Sequence, residues 1–469
     1  MMKLPEWQAD LIMAAGENPN PLLDAAERAT RYLDTLDTRG VWPSSDAVSR
    51  LKSALDTPLP DQATAPNEII ALLDEIGSPA TVASAGGRYF GFVTGGALPA
   101  SLAANWLAGA WDQNSFNAVS SPAISLFEET ALRWIKEALV LPATAEGTFV
   151  TGATMANFTC LVAARHAVLK KAGWDVESQG LFGAPEINVI VGEEVHATVY
   201  KVLSLLGLGR DRVITVPADD QGRMRVDALP AFEGPTIFCI QAGNVNSGAF
   251  DPAAAIISHA HDAGAWVHVD GAFGLWARAS ETLAPLANGF EDADSWATDA
   301  HKWLNVPYDS GVAIVREPDA LRRAMSINGA YLLASENRDQ IDYSPDCSRR
   351  ARAVDAWAAL KSLGRTGLAE MIDRNCAQAS RLADGLRGAG IEILNDVVLN
   401  QVVVGFGDEE RTHEVIRAIQ NSGTCWCGGT QWRGRPAMRI SVSSWATTDL
   451  DIDKSLEAIL KANQENRAT

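Results

Sequence analysis

The spacing of apolar positions changes twice along the chain. Over residues 1–80 short amphipathic stretches alternate with Pro19, Pro21, Pro43, Pro58, Pro60 and Pro66. Proline ends helices and sets turns, so this region predicts short helices in an extended N-terminal arm. Such an arm buries little by itself and is expected to pack on the next domain or on a second subunit. Residues 86–97, GGRYFGFVTGGA, read as a glycine-rich aromatic loop. Ser121-Pro122 then opens a helix, with serine as N-cap, proline in the first turn and apolar periodicity through Leu139.

From about residue 148 the period shortens. Apolar runs without polar alternation occur at 148–151, 187–192, 212–216, 235–241, 265–270 and 310–315. Helical stretches at 154–171, 196–206 and 251–263 fill several of the gaps. Strands of that kind joined by helices predict an α/β fold with a mainly parallel central sheet covered on both faces. Ligands of such sheets bind beyond the carboxyl ends of the strands. After about 365 the reading is a long helix over 367–389, short strands near 391–394, 400–406 and 437–443, and helices at 412–421 and 449–463. The expected organisation is an arm at 1–80, a large domain at 81–365 and a small C-terminal α+β domain at 366–469.

The 469 residues are 47% hydrophobic and 21% charged, which is ordinary for a globular protein. A net charge of −19 argues against nucleic acid or an anionic lipid surface as partner. No apolar run reaches the roughly 18 residues needed to span a bilayer. Met1 to Asp10 lacks the apolar core of an export signal, so a cytoplasmic location is expected. Six cysteines are too few for a disulfide scaffold, and the C-W-C pair Cys425/Cys427 is too closely spaced for a standard zinc site.

Four groups of residues carry candidate chemistry. Asp270 ends the run Trp266-Val267-His268-Val269-Asp270, on the same face as His268 and Trp266. A carboxylate there serves either as a turn or cap residue or as the partner of a buried cationic ring nitrogen. Lys302 lies in Asp299-Ala300-His301-Lys302-Trp303. It reads either as a lysine with a solvated head or as a buried amine fit to form a Schiff base. In Thr151-Gly152-Ala153-Thr154 a strand runs through small residues into a helix, whose N-terminus suits a phosphate. His196 follows the run at 187–192 and equally suits a helix cap. A phosphate cradle, a strand-end aspartate, a strand-end histidine and a lysine 32 residues after the aspartate together form the equipment for pyridoxal 5'-phosphate.

With HVDGAFG at 268–274 and DAHKWLNVPYDSG at 299–311, the chain resembles the group II pyridoxal-phosphate-dependent amino-acid decarboxylases of fold type I. These are the aromatic-amino-acid and glutamate decarboxylase relatives, and the resemblance spans roughly 80–370. It implies that Lys302 is the Schiff-base lysine, that Asp270 pairs with the pyridine nitrogen, and that His196 stacks on the cofactor ring opposite Ala272. It places Gly152, Ala153, Thr154, Asp299 and His301 among the cofactor-binding positions. It makes Phe92 a substrate-pocket residue contributed across a homodimer interface. It makes Tyr331 the residue of a mobile loop that protonates the carbon left when carbon dioxide departs. Four positions depart from the family pattern. Asp299 replaces a frequent Asn, Gly91 a Tyr, Asn244-Val245-Asn246 a Thr-rich stretch, and Trp445 an Arg found in some relatives.

The expected activity is decarboxylation of an L-amino acid, an aromatic or hydrophobic one being preferred. The alternatives are a glutamate, aspartate or diaminobutyrate decarboxylase, an aldehyde synthase, a carbon–carbon lyase or an aminotransferase. Outside that class stand a metal hydrolase built on His259, His261, His268 and His301, a serine acyl-transfer enzyme using Ser49-Arg50-Leu51-Lys52, and a non-catalytic cofactor-binding protein. The i,i+2 spacing of His259 and His261 on a helix points them apart, and no further acyl-transfer motif accompanies Ser49.

Overall fold

A computed structural model of the protein describes residues 20–326 and 338–466. Seven strands form the central sheet: β1 (Glu146–Val150), β2 (Asn188–Gly192), β3 (Ile214–Val216), β4 (Thr236–Gln241), β5 (Trp266–Asp270), β6 (Ser295–Asp299) and β7 (Gly311–Val315). Their order is β1-β7-β6-β5-β4-β2-β3. The five strands from β6 to β3 are parallel, whereas β7 runs antiparallel to both β1 and β6.

Alternate residues of each strand enter opposite cores, as a sheet buried on both faces requires. Phe238, Ile240, Val267 and Val269 join one apolar cluster, while Ile237, Cys239 and Trp266 join the other. The helix Ala153–Lys171 covers the second face through Ala156, Cys160, Ala163 and Ala164. His268 and Asp270 therefore lie beneath that helix, inside the protein.

A second sheet of four antiparallel strands follows, in the order β10-β11-β9-β8. It comprises β8 (Glu392–Ile393), β9 (Gln401–Gly405), β10 (Gly428–Trp432) and β11 (Arg435–Ser441), packed with the helices Glu409–Ser422 and Asp449–Glu465. The helix Arg352–Gly388 reaches both sheets and is longer than the 367–389 expected. Its Gly364 leaves helical geometry at φ 61°, so it is two helices joined at a kink. The N-terminal helices Pro21–Asp34, Ser45–Leu55 and Pro66–Leu72 contain no buried residue within the single chain. Among the described residues no helix is long and apolar enough to cross a membrane.

Two strands went unpredicted. In β6 a serine, a threonine and an aspartate interrupt the apolar run, and in β10 Gly428-Gly429 weakens the pattern. Ser121 does precede the helix Pro122–Ala138, but its hydroxyl donates to the Asn114 carbonyl instead of capping that helix.

Candidate active site

The carboxyl ends of β1, β2, β5 and β6 meet around a cavity of about 300 Å3. It is lined by Gly152, Ala153, Thr154, His196, Asp270, Ala272, Asp299, His301 and Lys302, together with Thr198, Gln241, Val245 and Phe273. Glycine permits this convergence. A β-carbon on Gly311 would fall 2.5 Å from the Gly152 α-carbon, and one on Gly152 would fall 3.1 Å from the His301 ring.

Lys302 sits in the turn between β6 and β7, its Nζ 3.1 Å from Asp299 Oδ2. Asp299 also accepts the Ala153 N–H at 2.6 Å through Oδ1. Asp270 is buried at the end of β5. Its Oδ1 accepts from the Ala272 N–H at 3.2 Å and its Oδ2 from Asn157 Nδ2 at 3.1 Å.

His196 caps the helix Ala197–Leu205, its Nδ1 accepting the Thr198 N–H. In the neutral ring this leaves the proton on Nε2. Burial pushes the imidazole below its usual range, nearby Lys302 and Arg439 push the same way, and Asp270 and Asp299 oppose them. His301 follows the same rule. Its Nδ1 accepts the Ser310 N–H at 3.1 Å, its Nε2 lies 3.6 Å from Asp299, and burial lowers its affinity for a second proton.

The helix that starts at Ala153 offers the N–H groups of Thr154 and Met155, which have no acceptor among the described residues. Unpaired N–H groups at a helix start suit an anion. A lysine side chain, a buried carboxylate and an anion cradle around one cavity fit pyridoxal phosphate, which has a carbonyl, a basic ring nitrogen and a phosphate.

Two expected residues stand apart. Phe92 is 64% exposed, lies against Trp426 at 5.4 Å between ring centres, and does not line this cavity within the chain. Tyr331 lies outside the described residues. The Gly91 backbone touches the same indole, so a β-carbon there would meet Trp426 at 2.2 Å. The space beside Gly91, where the family pattern has a Tyr, is thus filled by the indole of the C-W-C segment. Cys425 and Cys427 are buried free thiols. His259 and His261 bond to the Pro230 carbonyl and to Asp294 respectively.

Sequence reasoning missed Asn157, which donates to Asp270, and assigned no role to Arg439. Asn157 lies one helical turn beyond the cradle, a spacing that a helix start at Ala153 could have revealed. Arg439 is largely buried on β11, near His196, and donates to the Val245 carbonyl at 3.3 Å. It has no ion-pair partner among the described residues. Its strand belongs to the second sheet, so no local pattern ties it to the cavity.

Residues 49–406 match the model of the pyridoxal-dependent decarboxylase conserved domain. An aromatic-L-amino-acid decarboxylase of Bacillus atrophaeus is 27% identical over 345 residues, 71% of this chain and 70% of that protein. An acidic amino acid decarboxylase of Xenopus tropicalis is 29% identical over 360 residues, 74% of this chain and 69% of that protein. The crystal structure of Oryza sativa TDC with PLP and tryptamine has the same fold. It superposes with a TM-score of 0.86 at 23% identity, covering 95% of this chain and 97% of that one. The chain therefore belongs to the pyridoxal-dependent decarboxylase family, and its cofactor is pyridoxal 5'-phosphate.

Proposed function

We propose that the protein removes the α-carboxyl group of an L-amino acid, with the cofactor held on Lys302. The observation that carries this reading is the convergence of Lys302, Asp270 and the helix start at Ala153 on one cavity. When bound, pyridoxal phosphate supplies an electron sink for the pair left behind by departing carbon dioxide.

Lys302 Nζ would hold the cofactor covalently at its carbonyl carbon, with loss of water, and would accept or return a proton as substrate and product exchange. Asp270 holds a proton at the ring nitrogen. The N–H groups of Thr154 and Met155 would hold the phosphate, and His301, lining the same cavity, would donate to it through Nε2–H. His196, neutral and carrying its proton on Nε2, orients the ring. Tyr331 is assigned the proton at the α-carbon on the resemblance alone.

Val245 and Phe273 give the cavity an apolar wall, which supports a hydrophobic or aromatic side chain. Phe92 would complete it from a second subunit. Its left-handed φ of 56° and its exposure fit a residue held for contact outside its own chain. Arg439 favours a second reading, in which a substrate carboxylate meets the unpaired guanidinium. Release of carbon dioxide and amine from a panel of L-amino acids decides between them. If the second reading holds, Arg439→Gln raises KM for glutamate or aspartate by about tenfold or more and leaves aromatic substrates little changed. An unaltered acidic KM refutes it, and no carbon dioxide from any amino acid refutes both.

A further inference from the structure

Behind Asp270 the interface between β5 and the helix Ala153–Lys171 contains a line of polar side chains in an otherwise apolar core. Trp266 Nε1 lies 3.0 Å from Ser295 Oγ. Ser295 Oγ lies 2.9 Å from His268 Nδ1, and His268 Nε2 lies 2.8 Å from Asn157 Oδ1. Asn157 Nδ2 then reaches Asp270 Oδ2 at 3.1 Å. Ser295, His268 and Asn157 have no measurable exposure.

The chemistry of the two ends fixes the direction of every bond. An indole N–H can only donate, and a carboxylate can only accept. Asn157 must therefore turn its amide nitrogen to Asp270 and its oxygen to His268. That oxygen requires the proton of His268 on Nε2. Burial holds the imidazole neutral, down to about 4. A neutral ring protonated on Nε2 accepts at Nδ1, so the Ser295 hydroxyl donates to it and accepts from Trp266.

We propose that Trp266, Ser295, His268 and Asn157 form a one-way hydrogen-bond chain that fixes Asp270 as an acceptor toward the cofactor ring, making Asn157 and His268 positioning residues of the reaction. The inference rests on the role given to Asp270 above. Four aligned donors in a dry interior reinforce one another. They fix the orientation of the Asp270 carboxylate. The neighbouring Ala272 N–H fixes the other oxygen. A helix packed on a sheet gains nothing from this line that apolar side chains would not supply, so the polar residues point to the site they end on.

A double-mutant cycle on the holoenzyme tests this, read by the dissociation constant of pyridoxal phosphate and by the visible absorption of the bound cofactor. Asn157→Leu and His268→Leu should each weaken cofactor binding by about tenfold or more and alter the absorption band. His268→Gln can accept from Ser295 and donate to Asn157, and should stay within about threefold of wild type. In an Asp270→Asn background, Asn157→Leu should cost no more than about twofold further, because its target is gone. The same loss in both backgrounds would mark Asn157 as a packing residue and overturn the proposal. The isosteric Asn157→Asp turns the donor into an acceptor facing Asp270 and covers the case of a leucine variant that does not fold. Wild-type affinity and absorption in Asn157→Asp would also overturn the proposal. If Asp270→Asn alone leaves affinity and absorption unchanged, the reading of Asp270 fails first. If only Asp270→Asn is impaired, that reading stands and the chain falls.

Discussion

His196 shows how one side chain serves structure and chemistry together. Its Nδ1 closes the start of the helix Ala197–Leu205, and that bond aims the Nε2 proton away from the helix. Burial and the neighbouring Lys302 and Arg439 favour the neutral ring. The folded enzyme therefore keeps His196 uncharged down to a pH below the ordinary imidazole value of about 6.5. If the neutral ring is the working form, kcat loses its His196-dependent part only as pH falls through that lowered value. A pH profile of kcat should keep its acid limb below about 6.5, and His196→Gln should remove that limb while lowering the plateau. A limb at 7 or above, or one unchanged in His196→Gln, contradicts the assignment.

At the scale of elements, the Lys302 turn is held by parts of the chain far away in sequence. The loop 86–97 runs so close to it that a β-carbon on Gly95 would lie 1.7 Å from the Lys302 carbonyl oxygen. Trp303 Nε1 donates to Asn375 on the long helix, and Asn305 donates to the Ser443 carbonyl. Gly95→Ala has no room to be absorbed by a side-chain rotation. It should cost about 1–3 kcal/mol or more in unfolding by denaturant, and cofactor affinity should fall with it. Wild-type stability and affinity would show that the loop and the turn do not depend on each other.

This dependence also marks what the sequence could tell. Runs such as INVIVG and AWVHVD carry their own strand signal, because both faces of the sheet are apolar. The residues that follow those runs could be read as site candidates because parallel strands deliver their carboxyl ends to one edge. The run at 310–315 marks β7 itself, but its antiparallel place between β1 and β6 depends on pairing and not on local pattern. Asn157 and Arg439 acquire meaning only from elements brought together by the fold, and Gly95 only from the carbonyl it meets.

At the scale of the whole molecule, the exposed surface is unevenly distributed. Leu22, Leu23, Leu59, Phe92 and Trp106 are exposed apolar residues of the N-terminal region, the loop 86–97 and the helix Pro99–Trp111 that follows it. Apolar surface of this extent supports the proposed homodimer, in which Phe92 of one subunit serves the site of the other. Mixing Lys302→Ala with Phe92→Ala subunits tests it. A mixed dimer has one intact site, so about a quarter of wild-type activity should return after subunit exchange, with each parent nearly inactive. No recovery in confirmed mixed dimers would place Phe92 outside a shared site. The central claim is that β1, β5, β6 and the helix start assemble one cavity that holds pyridoxal phosphate on Lys302. Reduction of the yellow holoenzyme with borohydride, followed by peptide mapping, tests it most directly. The predicted result is the pyridoxyl group fixed on Lys302, with no visible band and no adduct in Lys302→Ala. A stable adduct on another lysine, or an undiminished band in Lys302→Ala, would contradict it.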